Sequence, residues 1–402
     1  MQRLRGVGRD YAWGSTEAIP ALLDEPATGE PVAEMWFGAH PAGPAHVVGR
    51  GDGVASDLRS MIAADAAGTL GEDVVSRFGP RLPYLLKLIA PARPLSLQVH
   101  PSLERAQERF RAEDAAGIPR DAPERNYRDP NHKPELVYAL TTFEAVCGFR
   151  APRRAAELFA NLSAPLARDL RAVLRQDPTA AGVRTVFTSL LDERTRPSAE
   201  EVQAVARSCA GRLRDGSPSP RADHTVVMLA EAYPGDPGVV ASLLLNPVTL
   251  QPGEALFVPA GGVHAYLSGL GVEVMASSDN VLRAGLTTKH VDVAEMLECV
   301  DYVAAPPIRP APEIFHGATR VYYAPVDDFE LSVTHLSDGA DDAGHPLPGR
   351  GPRVLLCLDG VISVATGAEL LTLARGDAVF VRADEGRLTV RGVGTLVQAD
   401  VP

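Results

Sequence analysis

A twelve-residue pattern occurs twice in this chain of 402 residues. Thr249-Leu-Gln-Pro-Gly-Glu-Ala-Leu-Phe-Val-Pro-Ala260 and Thr372-Leu-Ala-Arg-Gly-Asp-Ala-Val-Phe-Val-Arg-Ala383 share the form T-L-x-x-G-[ED]-A-x-F-V-x-A. A Gly-acid step between two apolar runs reads as strand, tight turn, strand. Two copies constrain the chain to two related β-domains. The first copy leads to His264, and the matching position of the second is Arg387. The second unit is therefore expected to bind no metal.

The pattern of elements supports a mainly β chain with an α-helical insertion, its β-units being of the cupin-type jelly-roll kind. Before residue 150 the sequence predicts one helix near Ser56–Ala66 and strands at Leu82–Ala90, Pro94–His100, Leu136–Leu140 and Phe143–Phe149. Between these, Ser102 caps a helix from Leu103 to about Ala116, closed by Gly117. Composition changes at 151. Residues 154–213 carry Ala, Leu, Arg and Glu at helical spacing, and Asp215–Asp223 reads as a polar linker. Helices at His224–Ala232 and Pro237–Leu244 follow, then strands from Val248, a helix near Val293–Val300 and a Pro-rich linker, Ala304–Pro312. The remainder reads as β, with a hairpin turn at Asp359-Gly360. The expected division is 1–150 and 236–303 as two parts of one catalytic β-domain, 151–235 as the insertion, and 313–402 as a C-terminal β-domain without metal.

Bulk properties exclude several classes. A net charge of −12 argues against nucleic-acid binding, and an anionic ligand would need a locally basic pocket. No stretch approaches the ~18 apolar residues of a membrane span, and the opening MQRLRGVGRDYAWGS lacks a signal peptide's apolar core. Cys147, Cys209, Cys299 and Cys357 lie far apart without metal-type spacing. A cytoplasmic protein with reduced thiols is expected, acting on a small molecule, with no nucleic-acid or membrane partner and as a monomer.

The basic residues are 36 Arg and only three Lys. Lys is a compact charge whose pKa shifts readily, whereas Arg is a fork that stays protonated. Lys87, Lys133 and Lys289 therefore mark places where Arg would not serve, such as phosphate binding or proton transfer. Lys133 lies in His132-Lys133-Pro134-Glu135, soon after Gln98-Val-His100, and Lys289 follows Arg283. Gln98 and His100, two apart on a strand, share a face. Glu135 and His264 are residues that could close a tetrahedral set with them. Glu135 would be the only anionic ligand, leaving a bound Zn²⁺ about one net positive charge. Spacing alone leaves this open, because a lone strand histidine is more often structural. His40, His46, His316, His335 and His345 read as structural or exposed.

These segments resemble the type I phosphomannose isomerase family over most of the chain. Tyr11-Ala-Trp-Gly-Ser15 and Ala33-Glu-Met-Trp-Phe-Gly-Ala-His-Pro41 are similar to its opening segments. Pro94-Leu-Ser-Leu-Gln-Val-His-Pro101, Asn131-His-Lys-Pro-Glu135, His264-Ala-Tyr-Leu-Ser-Gly269 and Ser278-Asp-Asn-Val-Leu-Arg-Ala-Gly-Leu-Thr287 with Lys289 are similar to its metal and catalytic segments. The last ~100 residues match only loosely. The resemblance implies a cupin (jelly-roll) catalytic domain interrupted by helices, with a second C-terminal cupin-like β-domain. It implies one zinc per chain on Gln98, His100, Glu135 and His264. It also implies interconversion of mannose 6-phosphate and fructose 6-phosphate, a step toward GDP-mannose, with a hexose phosphate as substrate.

That reaction moves a proton between C2 and C1 through a cis-enediol, after ring opening. The resemblance supports a catalytic role for Arg283, over the enediolate. Candidates for proton transfer are Lys133, Glu273, Asp279 and His132, and the sequence does not choose among them; Glu273 and Asp279 read equally well as groups that orient neighbours. Tyr266 shares a strand face with His264, where it either bonds the sugar or packs in the core. Lys87, Ser96 and Lys289 match family positions at the phosphate end, although a strand Lys87 could also snorkel to solvent. Two alternatives remain: a metal cupin acting on another sugar, and a non-catalytic sugar-sensing cupin.

Overall fold

The computed structural model describes residues 1–49, 54–337 and 344–402. Among the described residues three antiparallel sheets form. The first, of five strands, runs Leu245–Leu250, Phe143–Phe149, His264–Ser268, Leu97–Val99, Leu282–Gly285 in spatial order. The second, of six, runs Ala255–Val258, Glu135–Ala139, Gly271–Ala276, Tyr84–Ile89, Glu34–Gly38, Val7–Arg9. The third, of eleven, is built mainly from residues after 312.

Alternation of side chains assigns each face. One face of the five-stranded sheet presents Val99, Val146, Phe149 and Leu282 to the helical insertion, against Phe187, Leu190, Val202 and Leu229. Its other face meets the six-stranded sheet, where Ala145 and Tyr266 pack with Val137 and Leu256. The far face of the six-stranded sheet, with Leu86, Leu88, Tyr138 and Val274, packs on Leu331, Val354, Phe380 and Val397 of the third sheet. Each such side chain contributes ~1.5–3 kcal/mol on burial. Both of these sheets are thus packed from outside, one by helices and the other by the third sheet.

Several elements match the sequence expectations. Ser102 caps the helix Leu103–Ala115, its Oγ accepting from the Arg105 N–H at 3.2 Å. The insertion contains helices Pro152–Phe159, Pro165–Gln176, Ala180–Leu191 and Ala199–Asp215. The next helix, Pro220–Ala232, begins inside the stretch expected to be a linker. Proline supplies its first residue, and Asp223 is buried against Arg212, with contacts of 2.8 and 2.5 Å. An acid so paired belongs to a packed helix rather than a solvated connection.

The expected hairpin turn at Asp359-Gly360 is absent. Arg353–Ala365 is one strand, with a register shift between Cys357 and Asp359. Gly360 has φ +76°, and a Cβ there would meet the Val393 carbonyl oxygen at 2.0 Å. The glycine serves a bulge that bends the strand as its neighbour changes from Ala378–Val381 to Leu370–Ala374. At the other end of the chain, Gln2–Arg5 pairs with Ala378–Val381. The first strand is thus part of the third sheet. Among the described residues no helix is long and apolar enough to cross a membrane.

Candidate active site

The strand register brings distant residues side by side. In the five-stranded sheet Gln98 lies directly opposite both His264 and Arg283. In the six-stranded sheet Glu273 lies opposite Lys87, and Lys87 opposite Trp36. Glu135 is opposite Met275, so it shares the Glu273 face. The two rows face each other across a cavity of about 1420 Å³.

His100, Glu135 and His264 converge, their potential ligand atoms all within 4.8 Å of one another, and Glu135 and Gln98 line the cavity beside them. His100 Nδ1 is 2.8 Å from the Asn280 carbonyl, and His264 Nδ1 is 3.0 Å from the Gly262 carbonyl. A carbonyl only accepts, so each Nδ1 carries the proton and each Nε2 presents a lone pair. Those lone pairs face Glu135: His100 Nε2 lies 3.2 Å from Oε1, and His264 Nε2 lies 3.4 Å from Oε2. Acceptor therefore faces acceptor, and His100 Nε2 is buried without a hydrogen-bond partner. Burial and then Lys133 push the His100 imidazole down to about 4, so it stays neutral near pH 7. Burial opposes charge on Glu135, but Lys133 beside it outweighs that and holds the carboxyl well below its usual range. Imidazole nitrogens set against an ionised carboxylate form a donor set that a cation completes. The Gln98 amide lies 3.2 Å from His264 Nε2, and rotation by half a turn presents its oxygen there.

Around this centre Lys133 Nζ donates to Glu135 Oε1 at 2.7 Å. The Tyr266 hydroxyl donates to Glu135 Oε2 at 3.2 Å. Tyr266 therefore fixes a carboxylate and also packs edge-on to Phe143. Glu273 is buried, and its burial, reinforced by Glu135, pushes its carboxyl up to about 7. Lys87 Nζ sits 2.5 Å from Glu273 and 3.6 Å from Glu34. Burial alone would lower the Lys87 pKa, but Glu273 and Glu34 outweigh it and hold the ammonium above the ordinary Lys range.

Lys87 lines the cavity, but its surroundings weigh against the expected phosphate role. It is 5% exposed, and its charge is already answered by two carboxylates that would repel a phosphate. His132 departs from its expected role, because its Nε2 pairs with Asp328 at 2.8 Å and it does not line the cavity. Ser96, Lys289 and Asp279 do line it. Three residues escaped the sequence reading. Glu34 accepts from Trp36 Nε1 at 2.6 Å while reaching Lys87. His40 is buried on the cavity wall with Nε2 3.5 Å from Asp279. Both lie in the Ala33–Pro41 segment, which was a usable signal. Arg128 joins Arg283 and Lys289 on the wall, and among the described residues none of the three pairs with a carboxylate. Burial and then Arg128 lower the Arg283 pKa, and burial, Arg283 and Arg128 lower that of Lys289. Cations that repel one another in a cavity are satisfied by an anionic ligand.

The model of the type I phosphomannose isomerase catalytic domain matches residues 1–152. The Escherichia coli mannose-6-phosphate isomerase is 39% identical over 99% of both chains, and the Rattus norvegicus enzyme 30% identical over 94% and 92%. The chain belongs to the mannose-6-phosphate isomerase family. Solved structures agree. A zinc-bound mannose 6-phosphate isomerase superposes with TM-score 0.89 at 37% identity, covering 100% of this chain and 99% of that one. The apo form from Salmonella typhimurium gives 0.88 at 37% identity over the same coverage. As a member of this family the chain is an isomerase with the mainly β, cupin architecture.

Proposed function

We propose that this isomerase interconverts D-mannose 6-phosphate and D-fructose 6-phosphate, using one zinc ion held by Gln98, His100, Glu135 and His264. The observation that carries the reading is the set of acceptor atoms converging on Glu135 at the wall of a cavity that also holds Arg128, Arg283 and Lys289, none with a carboxylate partner among the described residues. When bound, the zinc supplies a fixed positive charge for the oxygens on C1 and C2. Glu273 takes the proton from one carbon and returns it to the other, its pKa near 7 suiting both tasks. Lys87 holds the Glu273 carboxylate in place and compensates its charge. Arg283 faces the negative charge that develops on the enediolate. Arg128 and Lys289 grip the phosphate, with Ser96 nearby on the wall. Lys133 and Tyr266 orient Glu135. Asp279, braced by His40, meets the sugar hydroxyls.

A coupled assay with mannose 6-phosphate on metal-analysed protein tests this reading. Turnover should vanish with chelation and return with zinc. Two lysine variants separate the roles given above. Lys289→Ala loses a bond to a charged group, ~1.5–3 kcal/mol, and should raise KM by about 10–100-fold with kcat little changed. Lys87→Ala should instead lower kcat, because it disturbs Glu273. Equal KM effects from both would return Lys87 to the phosphate. The pH profile adds a third check. Glu273 must be ionised to act as the base, so kcat/KM should fall tenfold per pH unit on the acid side of its pKa. The midpoint should lie no higher than about 7, since the charge of bound zinc draws it down. Glu273→Gln retaining that acid limb and most of its activity would remove the base assignment.

A further inference from the structure

A second cavity, of about 470 Å³, opens between the start of the helix Pro152–Phe159, the start of the helix Pro220–Ala232 and residues 304–306. It shares no lining residue with the active-site cavity. Its volume falls within the usual range for small-ligand sites, ~300–1000 Å³. Arg150 lines it, and the Arg150 Nε is buried without a partner. Arg9, Arg109 and Arg353 also have a buried, unpartnered Nε, but each is otherwise engaged. Arg9 stacks on Trp36, Arg109 lies 3.2 Å from Glu295, and Arg353 donates to the Gly349 carbonyl at 3.2 Å. Among the described residues Arg150 has no ion pair, no side-chain hydrogen bond and no aromatic face. Burial lowers its pKa to about 10, and no neighbouring acid opposes that.

The rest of the lining leaves this charge uncompensated. Arg154 and Glu157 pair with each other at 2.9 Å on the exposed rim. Phe149 and Leu158 supply apolar wall. Ala151 and Ser219, at the N-caps of the two helices, make no side-chain cap, and the first turn of Pro152–Phe159 holds no acid, so that turn adds positive potential. An unpaired guanidinium in a cavity is also what Arg128 and Arg283 present in the active site.

We propose that this cavity binds a small oxyanion, a phosphate or carboxylate group carried on a compact apolar body, through Arg150. The site is separate from the isomerase centre and does not depend on the reaction assigned there.

Calorimetric titration of the full chain tests it, with inorganic phosphate and butyrate as separate probes. The background is Arg128→Ala/Arg283→Ala/Lys289→Ala, which removes the three unpaired active-site cations that would also take up phosphate. One phosphate or one butyrate should still bind per chain, and the better probe tells which oxyanion the site prefers. Adding Arg150→Leu should weaken that binding by about 10–100-fold. In the wild-type background Arg150→Leu should keep its turnover of mannose 6-phosphate, which shows that it folds. Ala151→Asp is a second variant at an exposed helix start. It offers Arg150 an internal carboxylate, and should abolish probe binding while raising Tm. Failure of the background variant to bind either probe overturns the proposal, as does binding unaffected by both Arg150→Leu and Ala151→Asp.

Discussion

Glu135→Ala should purify with little or no zinc and with no measurable isomerase activity. The carboxylate is the one anionic member of the proposed ligand set, and both imidazoles aim their lone pairs at it. Removing it leaves two neutral rings and an amide, with Lys133 now unpaired beside them. Altering a group that merely orients a metal ligand costs about 10–100-fold in affinity. Loss of this ligand, and of its charge, should exceed the upper figure. Glu135→Gln preserves the volume and drops the charge, so it should also lose metal. His264→Ala and Gln98→Ala should weaken retention to a smaller degree. Metal analysis by mass spectrometry of the purified variants, before any reconstitution, gives the answer. Full zinc occupancy in all of them would dissolve the ligand assignment.

Arg283→Ala should lower kcat by about 10²–10³, with a far smaller change in KM. Its neighbour across the strands is Gln98, which places the guanidinium next to the metal group. Among the described residues it has no carboxylate partner, so its charge is free to meet one that develops during reaction. Such a contact strengthens toward the transition state and therefore appears in kcat. Arg283→Lys keeps the charge without the planar fork and should recover only part of the rate. A large rise in KM with kcat intact would move Arg283 to the phosphate, beside Arg128 and Lys289.

What the sequence disclosed followed the range of the interactions. Gln98 and His100 share a face because of strand periodicity alone, and Ser102 caps its helix through a contact three residues away. The repeated strand-turn-strand units appear as Leu245–Leu250 with Ala255–Val258, and Leu370–Ala374 with Ala378–Val381. The surroundings of Lys87 are not legible locally, because Glu34 and Glu273 reach it only through strand pairing. Nothing local distinguishes a lysine held between carboxylates from one that meets a phosphate. His40 was passed over for the same reason, its partner Asp279 being far along the chain. Gly360 marks positive φ in either a turn or a bulge, and only the partner strand around Val393 decides which. The pairing of Gln2–Arg5 with Ala378–Val381 joins the two ends of the chain, beyond any local pattern.

The central claim is that the residues around this cavity carry a proton, not a hydride, between C2 and C1 of a hexose phosphate. Turnover of mannose 6-phosphate by the zinc-loaded wild-type chain in D₂O, with the product followed by NMR, tests it directly. A proton that rests on Glu273 has time to exchange with solvent, so fructose 6-phosphate should carry deuterium at C1, in part or in full. Rapid formation of fructose 6-phosphate with no deuterium at C1 would contradict that route, and no turnover of any hexose phosphate would contradict the isomerase reading itself.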